Sequence, residues 1–208
     1  MNIIKSCENH TNNYISCATS DGFCIIKLNP FKIIKKQSFK GSLSIASLLY
    51  SSNIMLLVGG LLKPAALFGP KFLTVWDMKK EKIIKQIEFN HHIHDTCSTL
   101  KYIVIQFHNY IHILNLNTLD IIYYFSTSLY SSLSFKSYNN NSVLCFSSLK
   151  QGQLQIWKKK LLAKFQASTT NCHGIVVNKK CTEFSICTDN HIKIFNVESL
   201  LLTTAHSF

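Results

Sequence analysis

Phe72-Leu73-Thr74-Val75-Trp76-Asp77 is a six-residue apolar run, rich in β-branched and aromatic side chains and followed by the polar turn Met78-Lys79-Lys80. It is too short for an ordinary helix and suits a strand buried on both faces. Related runs return along the chain: Gly22-Phe23-Cys24-Ile25-Ile26, Tyr110-Ile111-His112-Ile113-Leu114-Asn115, Gln153-Leu154-Gln155-Ile156-Trp157 and His191-Ile192-Lys193-Ile194-Phe195-Asn196. With Ile26, Trp76, Leu114, Trp157 and Phe195 as equivalent points, the spacings are 50, 38, 43 and 38 residues. A blade of a WD-type β-propeller is about 40–45 residues. Further strand-like runs at Ile54–Val58, Tyr102–Phe107 and Val143–Phe146 bring each unit to about four strands, with turns at Ser51-Ser52-Asn53, Asn139-Asn140-Asn141 and Lys179-Lys180. No long segment keeps a 3.6-residue apolar period. A β-sandwich would not need such runs to return about every 40 residues, so the expectation is an all-β, WD-repeat-like propeller with five blade-closing strands.

The chain has 208 residues, only three prolines and seven glycines, and no low-complexity linker, which predicts one domain over residues 1–208. Its net charge of +12 comes from lysine alone, since arginine is absent. Lysine is a hydrated point charge without the planar fork of a guanidinium, so arginine-dependent sites are excluded. Eight cysteines lie scattered without a Cys-x-x-Cys pair, and the N-terminus has no signal-peptide pattern. Both features favour reduced thiols in the cytosol, packed as small hydrophobes. The stretch from Gly41 to Leu62 carries no charge, but Ser51-Ser52-Asn53 divides it into two apolar runs, as two strands around a turn would read.

Thr19-Ser20-Asp21-Gly22-Phe23 with Asn29-Pro30-Phe31, then Leu56-Leu57-Val58-Gly59-Gly60 with the Pro64 and Pro70 loop leading to Phe72–Asp77, stand in that order. They are followed by Leu100–Ile105 with Tyr110–Ile113, and by Gly152–Trp157. This ordered set, from about residue 14 to 197, resembles the PROPPIN family, the WD-repeat-like propellers that include the WIPI proteins. The resemblance implies a seven-bladed design of which about five blades are recognisable here, as an incomplete or open ring. It also implies peripheral binding to membranes that carry phosphatidylinositol 3-phosphate or the 3,5-bisphosphate, in autophagy or in endosomal and vacuolar traffic. The family's Arg-Arg-Gly motif has no counterpart in Thr204-Ala205-His206-Ser207-Phe208.

Carried over residue by residue, the family's headgroup site leaves a degraded half. Ala167-Ser168 stands where the family has Ala-His, Thr170 aligns with a serine, Ile186-Cys187-Thr188 with Thr-Ala-Ser, and Lys193 with an arginine. Thr170, Thr188 and Lys193 are therefore the expected headgroup contacts, with weakened affinity. The resemblance further implies that the second-blade residues Leu57, Val58, Gly59, Gly60 and Pro64 bind the large autophagy lipid-transfer protein. Placement is expected to be cytoplasmic and peripheral on phagophore, endosomal or vacuolar membranes. Open sheet edges would favour self-association.

Other constellations carry less. Of the histidines in His91-His92-Ile93-His94-Asp95, His92 and His94 share a side of an extended chain, a two-ligand start that falls short of a tetrahedral zinc site. Cys172-His173 is adjacent in sequence, whereas a thiolate and its base normally meet from separate elements; Cys172 is expected in a strand and His173 in solvent. No nucleophile elbow, phosphate loop or useful carboxylate pair occurs. No enzyme activity, cofactor or metal is expected. The pairs and runs Lys35-Lys36, Lys79-Lys80, Lys158-Lys159-Lys160 and Lys179-Lys180 would be exposed at turns or strand ends. Trp76 and Trp157 read as core rather than as stacking surfaces for RNA, so no nucleic-acid partner is expected. The competing reading is a general propeller interaction module with no lipid role.

Overall fold

Short apolar runs separated by tight polar turns pair most readily with their immediate sequence neighbours, and they do so throughout this chain. The computed structural model describes residues 2–9, 13–49, 52–61, 68–129, 131–158 and 161–207, without the side chain of residue 161. Among these residues are twenty strands in five four-stranded sheets, each ordered as a simple meander. The first sheet is β1 (Ile3–Glu8), β2 (Tyr14–Thr19), β3 (Gly22–Lys27) and β4 (Lys32–Ser38). The second is β5 (Leu43–Leu48), β6 (Ile54–Gly59), β7 (Phe72–Asp77) and β8 (Lys82–Glu88). These two sheets belong to one compact unit, Met1–Thr96.

A second unit, Cys97–Phe208, holds the rest. The chain enters its first sheet at β9 (Asp95–Ser98) and continues through β10 (Tyr102–Gln106), β11 (Tyr110–Asn115) and β12 (Ile121–Ser126). Next come β13 (Leu133–Tyr138), β14 (Asn141–Ser147), β15 (Gln153–Lys158) and β16 (Leu161–Gln166). The fifth sheet is β17 (Gly174–Val177), β18 (Glu183–Cys187), β19 (His191–Asn196) and β20 (Leu202–Ser207). The all-β propeller class expected from the repeats is thus the fold, blade by blade. The uncharged stretch after Gly41 holds β5 and β6, and among the described residues no helix is long and apolar enough to cross a membrane.

The five recurring runs are β3, β7, β11, β15 and β19. Each is third of four rather than last. A third strand is hydrogen-bonded on both sides and buries most of its side chains, as Leu73 to Trp76 do in β7. The fourth strand lies at the sheet edge and is largely exposed; in β4, Ile33 and Ile34 are both more than half exposed.

The residue that ends a third strand often organises the turn after it. Asp77 Oδ1 accepts the amide hydrogens of Lys79 and Lys80 at 2.9 and 3.0 Å. Asn196 Oδ1 does the same for Glu198 and Ser199 at 2.8 and 3.0 Å, and Asn115 Oδ1 accepts from Asn117 at 2.9 Å. A short side chain that hydrogen-bonds the backbone two residues on is the standard way for Asp or Asn to nucleate a turn. These amides, that of Lys80 foremost, hold the Asp77 carboxyl below its ordinary pKa.

In the first unit, Trp76 closes a core with Phe23, Leu43, Met55, Leu57 and Phe68. The Phe39 and Phe68 rings meet it edge-on at 5.3 and 5.9 Å. In the second unit Trp157 packs with Val104, Ile113 and Leu144, and Tyr102 stands edge-on to it at 5.2 Å. A neighbouring cluster joins Leu154 and Ile156 to Ile175, Phe184 and Phe195 and ties the fourth sheet to the fifth. Edge-on aromatic pairs add about 0.5–1.5 kcal/mol beyond their buried area.

Candidate functional site

Gly152 has φ +67°, and a Cβ there would lie 2.0 Å from the Ser168 carbonyl oxygen. Only glycine fits both demands. The carbonyl of Gly152 in turn accepts the amides of Ala167 and Ser168 at 3.0 and 3.2 Å, which pins the segment leaving β16. Ser168 and Thr170 pair their hydroxyls at 3.1 Å, and the Thr170 amide donates to Ser168 Oγ at 3.2 Å. Lys193, half-buried on β19, reaches the same segment and donates its ammonium to the Ala167 carbonyl at 3.3 Å. One cation and two hydroxyls thus meet around residues 167–170.

Thr188 is turned elsewhere. It is buried, and both its amide and its hydroxyl donate to the His191 carbonyl, at 2.9 and 3.1 Å, across the turn between β18 and β19. Of the three expected headgroup contacts, the structure brings Lys193 and Thr170 to one segment and leaves the Thr188 proton committed to its own hairpin. Sequence reasoning passed over Ser168, whose hydroxyl orients Thr170; its position next to the aligned Ala167 was the available signal.

The second-blade patch has a different character. Leu57 and Val58 are completely buried in β6, and Gly59 and Gly60 are buried with them. Gly59 donates its amide to the Gly69 carbonyl at 3.2 Å, and Gly60 donates to Ser42 at 2.9 Å. These residues cannot themselves touch a partner; they frame the segment that follows, where Leu61 is 65% exposed. Pro64 lies outside the described residues.

Asp95, at the end of the histidine cluster, is ion-paired with Lys5 at 2.6 Å and accepts the Thr96 amide, while Ile93 is buried between the flanking histidines. Among the described residues no group of three His, Cys, Asp or Glu side chains is placed to hold a metal. Cys172 sits in the loop before β17, not in a strand as expected, because residues 167–173 are drawn across to Gly152 and Lys193 before pairing resumes. Burial raises its thiol, partly offset by the Lys193 charge. His173 is exposed and its Nε2 meets Asp189 Oδ1 at 2.5 Å. Two lysines expected to be exposed are instead partly buried and engaged: Lys35 pairs with Glu81 at 2.8 Å, and Lys158 pairs with Glu198. Lys159 and Lys160 lie outside the described residues.

No family model matches the chain. Over 84 residues, 40% of this chain and 22% of the relative, it is 39% identical to SVP1-like protein 2 of Schizosaccharomyces pombe. Over 121 residues, 58% of this chain and 23% of the relative, it is 30% identical to Autophagy-related protein 18 of Saccharomyces cerevisiae. The solved Hsv2 of Kluyveromyces marxianus superposes on 99% of this chain with a TM-score of 0.84 at 18% identity, over 65% of its own length. The chain is similar to proteins of the PROPPIN family. Its matched segments span less than a quarter of those curated PROPPIN relatives. A second PROPPIN structure, the complex of KlAtg21 with the coiled-coil of AgAtg16, matches 99% of this chain and 70% of its own at 16% identity, with a TM-score of 0.83. The sequence matches carry the similarity, and the superpositions carry the propeller fold.

Proposed function

We propose that this PROPPIN-like protein is a non-catalytic, cytoplasmic scaffold of autophagy-related traffic that visits phagophore, endosomal or vacuolar membranes peripherally. Its lipid would be phosphatidylinositol 3-phosphate or the 3,5-bisphosphate. The observation that carries this reading is the meeting of the Lys193 ammonium with the hydroxyls of Ser168 and Thr170 around one backbone segment. Hydroxyls and an ammonium are the donors a headgroup phosphate needs, and a single lysine in place of arginine leaves the affinity low. On this reading the autophagy lipid-transfer protein docks on the segment beyond β6, with Leu57, Val58, Gly59 and Gly60 as its support and Leu61 and Pro64 in the contacting stretch.

Flotation with liposomes that differ only in phosphatidylinositol 3-phosphate, at about 0.15 M salt where long-range attraction is screened, tests the lipid role. Preferential flotation with the phosphoinositide, reduced by Lys193→Ala, is the expected result. Equal flotation with both membranes sinks headgroup recognition and favours the interaction-module reading, to which the commitment of the Thr188 hydroxyl to its own turn also points.

A further inference from the structure

A polar cavity of about 410 Å³ opens in the second unit where the loops before β13, between β14 and β15, and before β17 converge. It shares the Gly152 turn with the Lys193 segment but is lined by other side chains, among them Ser131, Ser147, Ser148, Lys150 and His173. No carboxylate is among its described lining residues.

Two buried glutamines stand behind these serines and set the direction of their hydroxyls. Gln155, 3% exposed, donates its side-chain amide to Ser148 Oγ at 3.1 Å. Gln106, 7% exposed, donates to Ser131 Oγ at 3.3 Å and to the Ser131 carbonyl. A serine oxygen that already accepts from an amide keeps its own proton to give away. Lys150 adds an exposed ammonium at the rim.

We infer that this cavity binds the phosphoryl group of a small soluble phosphate monoester, with Ser131 and Ser148 donating to its oxygens and Lys150 pairing with its charge. A set of donors without a facing carboxylate suits an oxyanion, and hydrogen bonds to a charged acceptor are the stronger kind. The volume is within the range of small-ligand pockets and leaves room for more than a bare phosphate. None of the proposed headgroup contacts is among its described lining residues.

Calorimetric titration of the whole chain with inorganic phosphate and with glycerol 3-phosphate, at ionic strength matched with chloride, tests it. Both probes should bind, the ester more tightly. Lys150→Ala, at an exposed position that folding does not need, and Ser148→Ala should each weaken binding about tenfold, while Lys193→Ala should leave it within about twofold. Chloride giving the same heat, unchanged binding in both cavity variants, or loss of binding in Lys193→Ala would each overturn the inference. The last result would place the phosphate at the headgroup segment instead.

Discussion

The Asp77 carboxylate accepts the amide hydrogen of Lys80 at 3.0 Å, closing the turn between β7 and β8. Asn115 and Asn196 do the same work with a neutral amide oxygen. Asp77→Asn should therefore keep the turn, whereas Asp77→Ala should lower the thermal midpoint clearly below that of Asp77→Asn.

The charge gives a pH signature. The folded carboxyl is held below its ordinary value, so its contribution is present above the unfolded pKa of about 3.9 and is lost as pH falls through the lower, folded one. The thermal midpoints of wild type and Asp77→Asn should converge as pH is lowered from 5 towards 3; a constant gap would show that the carboxylate adds nothing.

Trp157 and Trp76 lie in different units, each buried in its own aromatic cluster. Trp157→Ala should cost about 3–5 kcal/mol, as deletion of a large buried ring does, measured by denaturant unfolding. The single-tryptophan variants Trp76→Phe and Trp157→Phe each leave one reporter. Each should show blue-shifted emission that moves to the red on unfolding; red emission from either folded variant would contradict its burial.

A Cβ on Gly59 would lie 1.7 Å from the Phe68 carbonyl oxygen. Backbone cannot yield as a flexible side chain does, so Gly59→Ala should destabilise by at least about 1–3 kcal/mol in the same assay. A neutral substitution would show that the segment after β6 is not held as described.

Cys17 and Cys24 face each other across β2 and β3. Burial first, and then its neighbour Cys24, push the Cys17 thiol up to about 11. At pH 8 its thiolate fraction is then about 10⁻³, and iodoacetamide should label it roughly 200-fold more slowly than a free thiol until the protein unfolds. Because the folded pKa is raised, the stability tied to this thiol is full below about pH 8.5 and fades as pH climbs towards 11. Labelling of the native protein at the free-thiol rate would refute the burial.

Third strands such as β7 were legible because burial on both faces and hydrogen bonding on both sides demand unbroken apolar, β-branched sequence. Edge strands were not: β20 has an exposed side chain at every position, so its residues carry no periodic signal. Ile54 to Val58 could be read as a strand, but the depth of Leu57 and Val58 could not, since an apolar run looks alike whether it contacts a partner or the core. The serine-lined cavity was invisible because its parts are brought together only by the fold. The Ser132 hydroxyl, for instance, donates at 2.8 Å to the carbonyl of His173, 41 residues away.

The Asx turns carry a consequence for how such a chain tolerates mutation. Aspartate and asparagine codons differ by one base, and either side chain places an oxygen where the turn amides of Asp77 or Asn196 need it. A single-base change can exchange one for the other without unmaking a blade, while every single-base amino-acid replacement of Gly59 brings a Cβ into the Phe68 carbonyl. Substitutions should therefore accumulate at the strand-closing acid and halt at that glycine, leaving repeats whose letters diverge long before their geometry does.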